Sequence, residues 1–180
     1  MGFQIQGVNG KIVKVNGGNR LLVNSITNPV DADINIESGK VWSLPFDGLN
    51  PAGASDYVFY IKNDGDKVLH VSDIRITADA TTQVELHGVS GTAAGGSALT
   101  PVSRTIGSAA VPSATIETGT DITGLTSLGT LFFIQCLTAG NEYHLTTSSR
   151  IRIPKGKAVA ILIETGTANV TGVVSLVEEE

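Results

Sequence analysis

The chain of 180 residues fits one domain, or one domain with an appendage, and can bury roughly 70% of its unfolded surface without a metal or disulfide staple. Hydrophobic residues at 41% exclude a chain too polar to fold, while charged residues at 16% fall below the ~25% typical of soluble domains. With 21 glycines, abundant Thr and Ser and a net charge of −5, the composition favours strands and turns and argues against a general nucleic-acid binder, which is normally basic.

Residues 1 to about 50 read as a β-rich head piece. Short alternating runs (Phe3-Gln4-Ile5-Gln6, Ile12-Val13-Lys14-Val15, Leu21-Leu22-Val23) are separated by Val8-Asn9-Gly10 and Asn16-Gly17-Gly18-Asn19. Asn-Gly is a strong short-range hairpin signal. Up to residue 30 the only charges are Lys11, Lys14 and Arg20, so this piece is basic and suits an arm that docks on an acidic partner. The opening Met1–Gln6 has neither the basic head nor the apolar block of a secretion signal, so synthesis in a host cytoplasm is expected.

From Asp56 the period-2 pattern strengthens. Tyr57, Phe59 and Ile61 share one strand face, and Asn63-Asp64-Gly65-Asp66 reads as a plain hairpin turn. Leu69 and Val71 keep one phase and Ile74 and Ile76 the other, so a β-bulge is predicted at Ser72-Asp73. Val84 and Leu86 are expected inward on the next strand. Residues 88–130 carry only Arg104, Glu117 and Asp121 as charges; Gly91–Ser97 reads as a loop, and the whole stretch is expected to pack against another subunit. Leu131–Leu137, with the lone Cys136, reads as a buried strand holding an inert thiol. Ile151 and Ile153, then Val159, Ile161 and Ile163, form inward faces between the turns Pro154-Lys155-Gly156-Lys157 and Glu164-Thr165-Gly166-Thr167. Short strands at this spacing predict an all-β chain: an antiparallel β-sandwich of jelly-roll type over residues 51–180, preceded by the N-terminal arm at 1–50.

Motifs for chemistry are sparse. His70, His87 and His144 share no ligand spacing, so no metal is expected. Gly88-Val89-Ser90-Gly91 is not a nucleophile elbow, and no phosphate loop is present, so no cofactor and no hydrolytic activity are expected. Nothing selects a glycosidase pair from Asp64, Asp66, Asp73, Asp79 and Glu85. Trp42, Tyr57, Tyr60 and Tyr143 are candidates for a sugar platform, with core packing the better expectation for most. No stretch reaches the ~20 apolar residues of a membrane helix, and no membrane partner is expected.

The runs Tyr57–Asn63, Val84–Gly96, Glu117–Leu125, Ile153–Ala158 and Glu164–Val170 together resemble a family of virion structural proteins from tailed bacteriophages, with a looser likeness over the first fifty residues. The resemblance implies a non-enzymatic particle component located in the virion, on the head surface by preference: a decoration (cement) protein that binds the major capsid protein or another virion protein. A homotrimer is the expected assembly, because closed symmetry at a shell's three-fold positions avoids filaments. The alternative is a head or tail fibre whose sandwich grips host glycan. The candidate particle-docking residues are Lys11, Lys14, Arg20, Ile12, Val13, Val15, Leu21 and Leu22, whose alternating apolar character suits strand addition to a partner's sheet.

Overall fold

The computed structural model describes residues 40–179. Eleven strands make up the regular structure of these residues: β1 (Val41–Leu49), β2 (Asp56–Asn63), β3 (Leu69–Ala78), β4 (Thr82–Ala94), β5 (Ser97–Ala98), β6 (Val102–Ser103), β7 (Ala114–Thr118), β8 (Thr123–Leu137), β9 (Glu142–Ile153), β10 (Ala158–Ile163) and β11 (Val170–Glu178). They form two antiparallel sheets packed face to face, a β-sandwich. The five-stranded sheet runs β6-β1-β11-β3-β9 and the six-stranded sheet β5-β7-β2-β10-β4-β8.

The core follows from the alternation. Leu44, Phe46, Ile74, Ile76, Val174 and Leu176 project from one sheet against Phe59, Ile61, Val84, Leu86, Ile161 and Ile163 from the other, all buried. Phe46 and Phe59 meet across the gap with ring centroids 5.3 Å apart. The predicted bulge is present: Asp73 and Val71 pair with the adjacent residues Ser175 and Leu176 of β11, leaving Ser72 as the extra residue. The pairing with β9 also breaks register here, Val71 pairing with Ile151 and Asp73 with Thr146.

Three expectations need correction. First, Val41–Leu49 is an integral strand, paired along β11 from Val41↔Val177 to Leu49↔Val170, so the sandwich begins before residue 51. Second, Asn63-Asp64-Gly65-Asp66 is no hairpin, because β2 and β3 belong to different sheets. It is a crossing held by the fully buried Asn63, whose side chain donates to the Lys67 and Ile153 carbonyls (2.7 and 2.8 Å) and accepts from the Gly65 amide (2.9 Å). Third, Leu131–Leu137 is not a buried strand throughout. It lies in β8, at the edge of its sheet, where Leu131, Phe132 and Cys136 are exposed and Leu137 is buried.

Residues 88–130 are mostly strand rather than loop. Gly91–Ala94 continues β4, paired with β8 from Val89↔Ser127 to Ala94↔Thr123. Gly91 (φ 105°) and Gly124 (φ 74°) face each other there; a Cβ on Gly91 would lie 2.2 Å from the Gly124 carbonyl oxygen. Only glycine accepts both the backbone angles and the approach. Beyond this pair, Ala93, Ile122 and Leu125 pack with Tyr60, Val89, Ala158 and Ala160 in a second, smaller apolar cluster. The amides of Gly119 and Ile122 donate to the carbonyls of Val58 and Tyr57, and the Ala52 amide to that of Thr120. The outer face of the six-stranded sheet is therefore partly covered by its own chain, which is why every residue of β10 is buried although a two-layer sandwich would leave alternate ones wet.

Candidate functional site

The eight sequence-selected docking residues, Lys11, Ile12, Val13, Lys14, Val15, Arg20, Leu21 and Leu22, lie outside the described residues. Within 40–179 two surface features stand out: a set of exposed apolar side chains, and a compact polar cluster beside β8.

The exposed apolar side chains fall at two separate edges: β8 ends the six-stranded sheet on the side of β9, and the connection from β6 to β7 lies at the opposite edge, beside β1. All the exposed large hydrophobic side chains among the described residues fall between positions 102 and 132: Val102, Ile106, Val111, Leu128, Leu131 and Phe132. β8 pairs only with β4, so along its other side a 15-residue strand offers main-chain groups with no sheet partner. From Ile122 to Asn141 no Asp, Glu, Lys or Arg occurs. Sheet edges in proteins are ordinarily guarded by charge, proline or shortness. This one carries none of those guards. The connection bearing Ile106 and Val111 is pinned rather than loose at its ends. The Arg104 guanidinium donates to Ser175 Oγ (2.7 Å) and Ser43 Oγ (3.2 Å), its amide to the Val41 carbonyl, and Trp42 Nε1 to the Ala110 carbonyl (2.9 Å).

The polar cluster comes from strand alternation. Val84 and Leu86 point into the core, so Gln83, Glu85 and His87 project from the opposite face of β4. Gln83 Nε2 donates to Glu85 Oε1 (2.6 Å), and Glu85 Oε2 lies 2.6 Å from His87 Nε2. His87 Nδ1 in turn lies 3.2 Å from Ser127 Oγ on β8, which also accepts from the Gly129 amide (3.2 Å). Tyr57 stands edge-on to the His87 ring at 6.1 Å. Burial pushes the Tyr57 hydroxyl above its ordinary value, against a lowering by neighbouring Ser127. Glu85 and His87 are almost wholly buried, whereas Ser127 is exposed. Motif reading missed this group because its members are two residues apart on one strand and forty residues away on another. The only local trace is the period-2 spacing of Glu85 and His87.

Several other ionisable groups are held in structural pairs. His144 bonds Asp73 across the β3–β9 pairing. His70 is buried in β3, its Nε2 3.3 Å from Glu179, which also accepts from Arg152 (3.1 Å); these contacts, His70 first, hold the Glu179 carboxyl below its ordinary value. Asp64 is likewise lowered by the Thr115 hydroxyl and then by Lys62. Among the described residues no group of three His, Cys, Asp or Glu is placed to hold a metal ion. The four Trp and Tyr residues form no sugar platform: Trp42 and Tyr60 are buried, Tyr57 and Tyr143 half-buried, and they are divided between the two sheets.

No family model matches the chain, and neither a curated protein nor a solved structure matches it.

Proposed function

We propose that the chain is a virion structural protein of the tailed-phage type: a head decoration protein that binds and stabilises the major capsid shell, and a homotrimer. The observation that carries this reading is the edge strand β8, Thr123–Leu137, which holds no charged residue and exposes Leu128, Leu131 and Phe132. Interface cores are depleted of Lys, Glu and Asp, and exposed apolar patches of this kind mark protein contacts. A neutral margin also lets copies that each carry a net charge of −5 meet without opposing charges at the contact.

The strand order supports the finer fold reading. Without the short β5, β6 and β7, the sheets are β1-β11-β3-β9 and β2-β10-β4-β8. Consecutive long strands change sheet at every step except β4 to β8. We infer from this order a jelly roll of eight strands and two Greek keys. The glycan-binding alternative would call for exposed Trp and Tyr side chains together on one surface. All four such residues lie within the described residues, and none is exposed.

In this reading the basic, apolar segment that precedes β1 attaches to the particle by strand addition, and the sandwich from β1 onward faces outward or meets sister subunits. Two measurements on the full chain and on a chain lacking residues 1–24 test it. Light scattering at micromolar concentration should give three times the chain mass for both. Only the full chain should rebind particles stripped of the protein, with affinity falling as salt rises. A monomeric full chain overturns the trimer, and full occupancy by the truncated chain overturns the arm as anchor.

A further inference from the structure

We propose that Ser127 is an activated nucleophile, with His87 as its general base and Glu85 as the group that positions the base, and that it cleaves short-chain carboxylic esters. The proposal is independent of the assembly reading and rests on the polar cluster alone.

The geometry follows a chain of single assignments. Glu85 is an acceptor when ionised, so the His87 nitrogen 2.6 Å from it carries the ring proton. In the neutral tautomer with that proton, the lone pair is on Nδ1, which faces Ser127 Oγ at 3.2 Å. The serine hydroxyl is then within reach to donate to that lone pair, with the Tyr57 hydroxyl as its other hydrogen-bond neighbour. Gln83 occupies the other Glu85 oxygen at 2.6 Å, so the carboxylate does not swing away. A nucleophile within hydrogen-bond reach of a base, itself oriented by a third group, is the arrangement that activates a hydroxyl for covalent catalysis. Burial of the carboxylate and imidazole keeps bulk water from competing for their bond, while Ser127 remains open to a reactant.

The step balances without any further reagent. Ser127 Oγ forms a bond to the ester carbonyl carbon as its proton passes to His87 Nδ1. The carbon–alkoxy bond then breaks, and the departing alkoxide takes that proton from His87 and leaves as the alcohol. Water, losing a proton to His87, attacks the acyl-serine and releases the carboxylic acid, restoring the Ser127 hydroxyl. The substrate class comes from the surroundings. Leu131 stands opposite His87 in the β4–β8 register, hence on the same face, and is half exposed. It offers an apolar contact to a short acyl chain, on an open surface where the alcohol portion of the ester is free to be large.

The test uses the purified full chain with p-nitrophenyl acetate, and a fluorophosphonate label located by peptide mass. Expected are an initial burst of nitrophenolate approaching one per chain, labelling at Ser127, and loss of both in Ser127→Ala. His87→Ala should slow acylation by about 100-fold or more, the usual worth of a general base, and imidazole added to the solution should restore part of the rate. Glu85→Gln should lower kcat by about tenfold or more with KM unchanged, the signature of a positioning residue. Trp42 fluorescence checks that each variant is folded. The proposal is overturned if the wild-type rate equals that of folded Ser127→Ala, if the label lands elsewhere, or if imidazole leaves folded His87→Ala unchanged.

Discussion

Replacing Asn63 by alanine removes three hydrogen bonds from the point where β2 leaves one sheet and the chain crosses to the other. The side chain is fully buried, and it joins the Lys67 and Ile153 carbonyls to the Gly65 amide. Water can replace it at Gly65 and Lys67, which lie near the surface, so each of those bonds is worth about 1 kcal/mol. Ile153 is buried, and its carbonyl is left without this donor at a cost nearer 2 kcal/mol. The expected loss is about 4 kcal/mol, or roughly 10 °C in melting temperature for a domain of this size. Asn63→Asp is the sharper probe. It keeps the volume and the acceptor for Gly65 but turns a carboxylate oxygen toward two carbonyls, so at neutral pH it should cost more than alanine. A buried carboxyl with such neighbours titrates above its usual range, and once protonated it regains a donor. The deficit of Asn63→Asp relative to wild type should therefore shrink as pH falls from 7 to about 5. Urea unfolding followed by the single, buried tryptophan, Trp42, measures this directly. An aspartate variant as stable as wild type at pH 7, or a deficit that does not change with pH, would refute the reasoning.

Two further outcomes are expected. A Cβ at Gly172 would lie 2.4 Å from the Arg75 carbonyl oxygen and 2.7 Å from the Phe46 ring, so Gly172→Ala should cost about 2–3 kcal/mol in urea unfolding. Asp64, Asp79 and Glu179 are each held below their ordinary values, by Thr115, Asn169 and His70 respectively; their contribution is present above about pH 4–5 and is lost as pH falls through the lowered values. Urea midpoints should thus decline from roughly pH 4 toward 2, and less steeply in a chain combining Asp79→Asn with Glu179→Gln.

The sequence reveals which residues lie on a strand and which way they point, because period 2 is a local property. It even shows the bulge at Ser72, since a one-residue slip changes the phase of Ile74 and Ile76 against Leu69 and Val71. Order within the sheets is not local. Leu131–Leu137 has the composition of a central strand, and only its place beside β4 with nothing beyond exposes Cys136. Asn63-Asp64-Gly65-Asp66 announces a turn, but turn residues record the backbone angles needed and not the sheet that the next strand will join. The Glu85–His87–Ser127 group is hidden for the same reason: its third member arrives by the β4–β8 pairing, forty residues along the chain.

The order of the strands also constrains when the protein can come into being. β11 lies between β1 and β3, and β10 between β2 and β4, so two strands made after β1 to β4 are interior members of the two sheets. A ribosome releasing the chain from its N-terminal side exposes β1 to β4 for many seconds as partners in waiting, each with an apolar face and no neighbour to hydrogen-bond. Neither sheet is continuous until residues 158–178 have emerged. The sandwich is accordingly a post-translational product with slow, non-local closure, and a chain cut short before β10 has nothing stable to offer an assembly. The edge at β8 is therefore fixed in place only when β10 has joined β4 to the rest of its sheet.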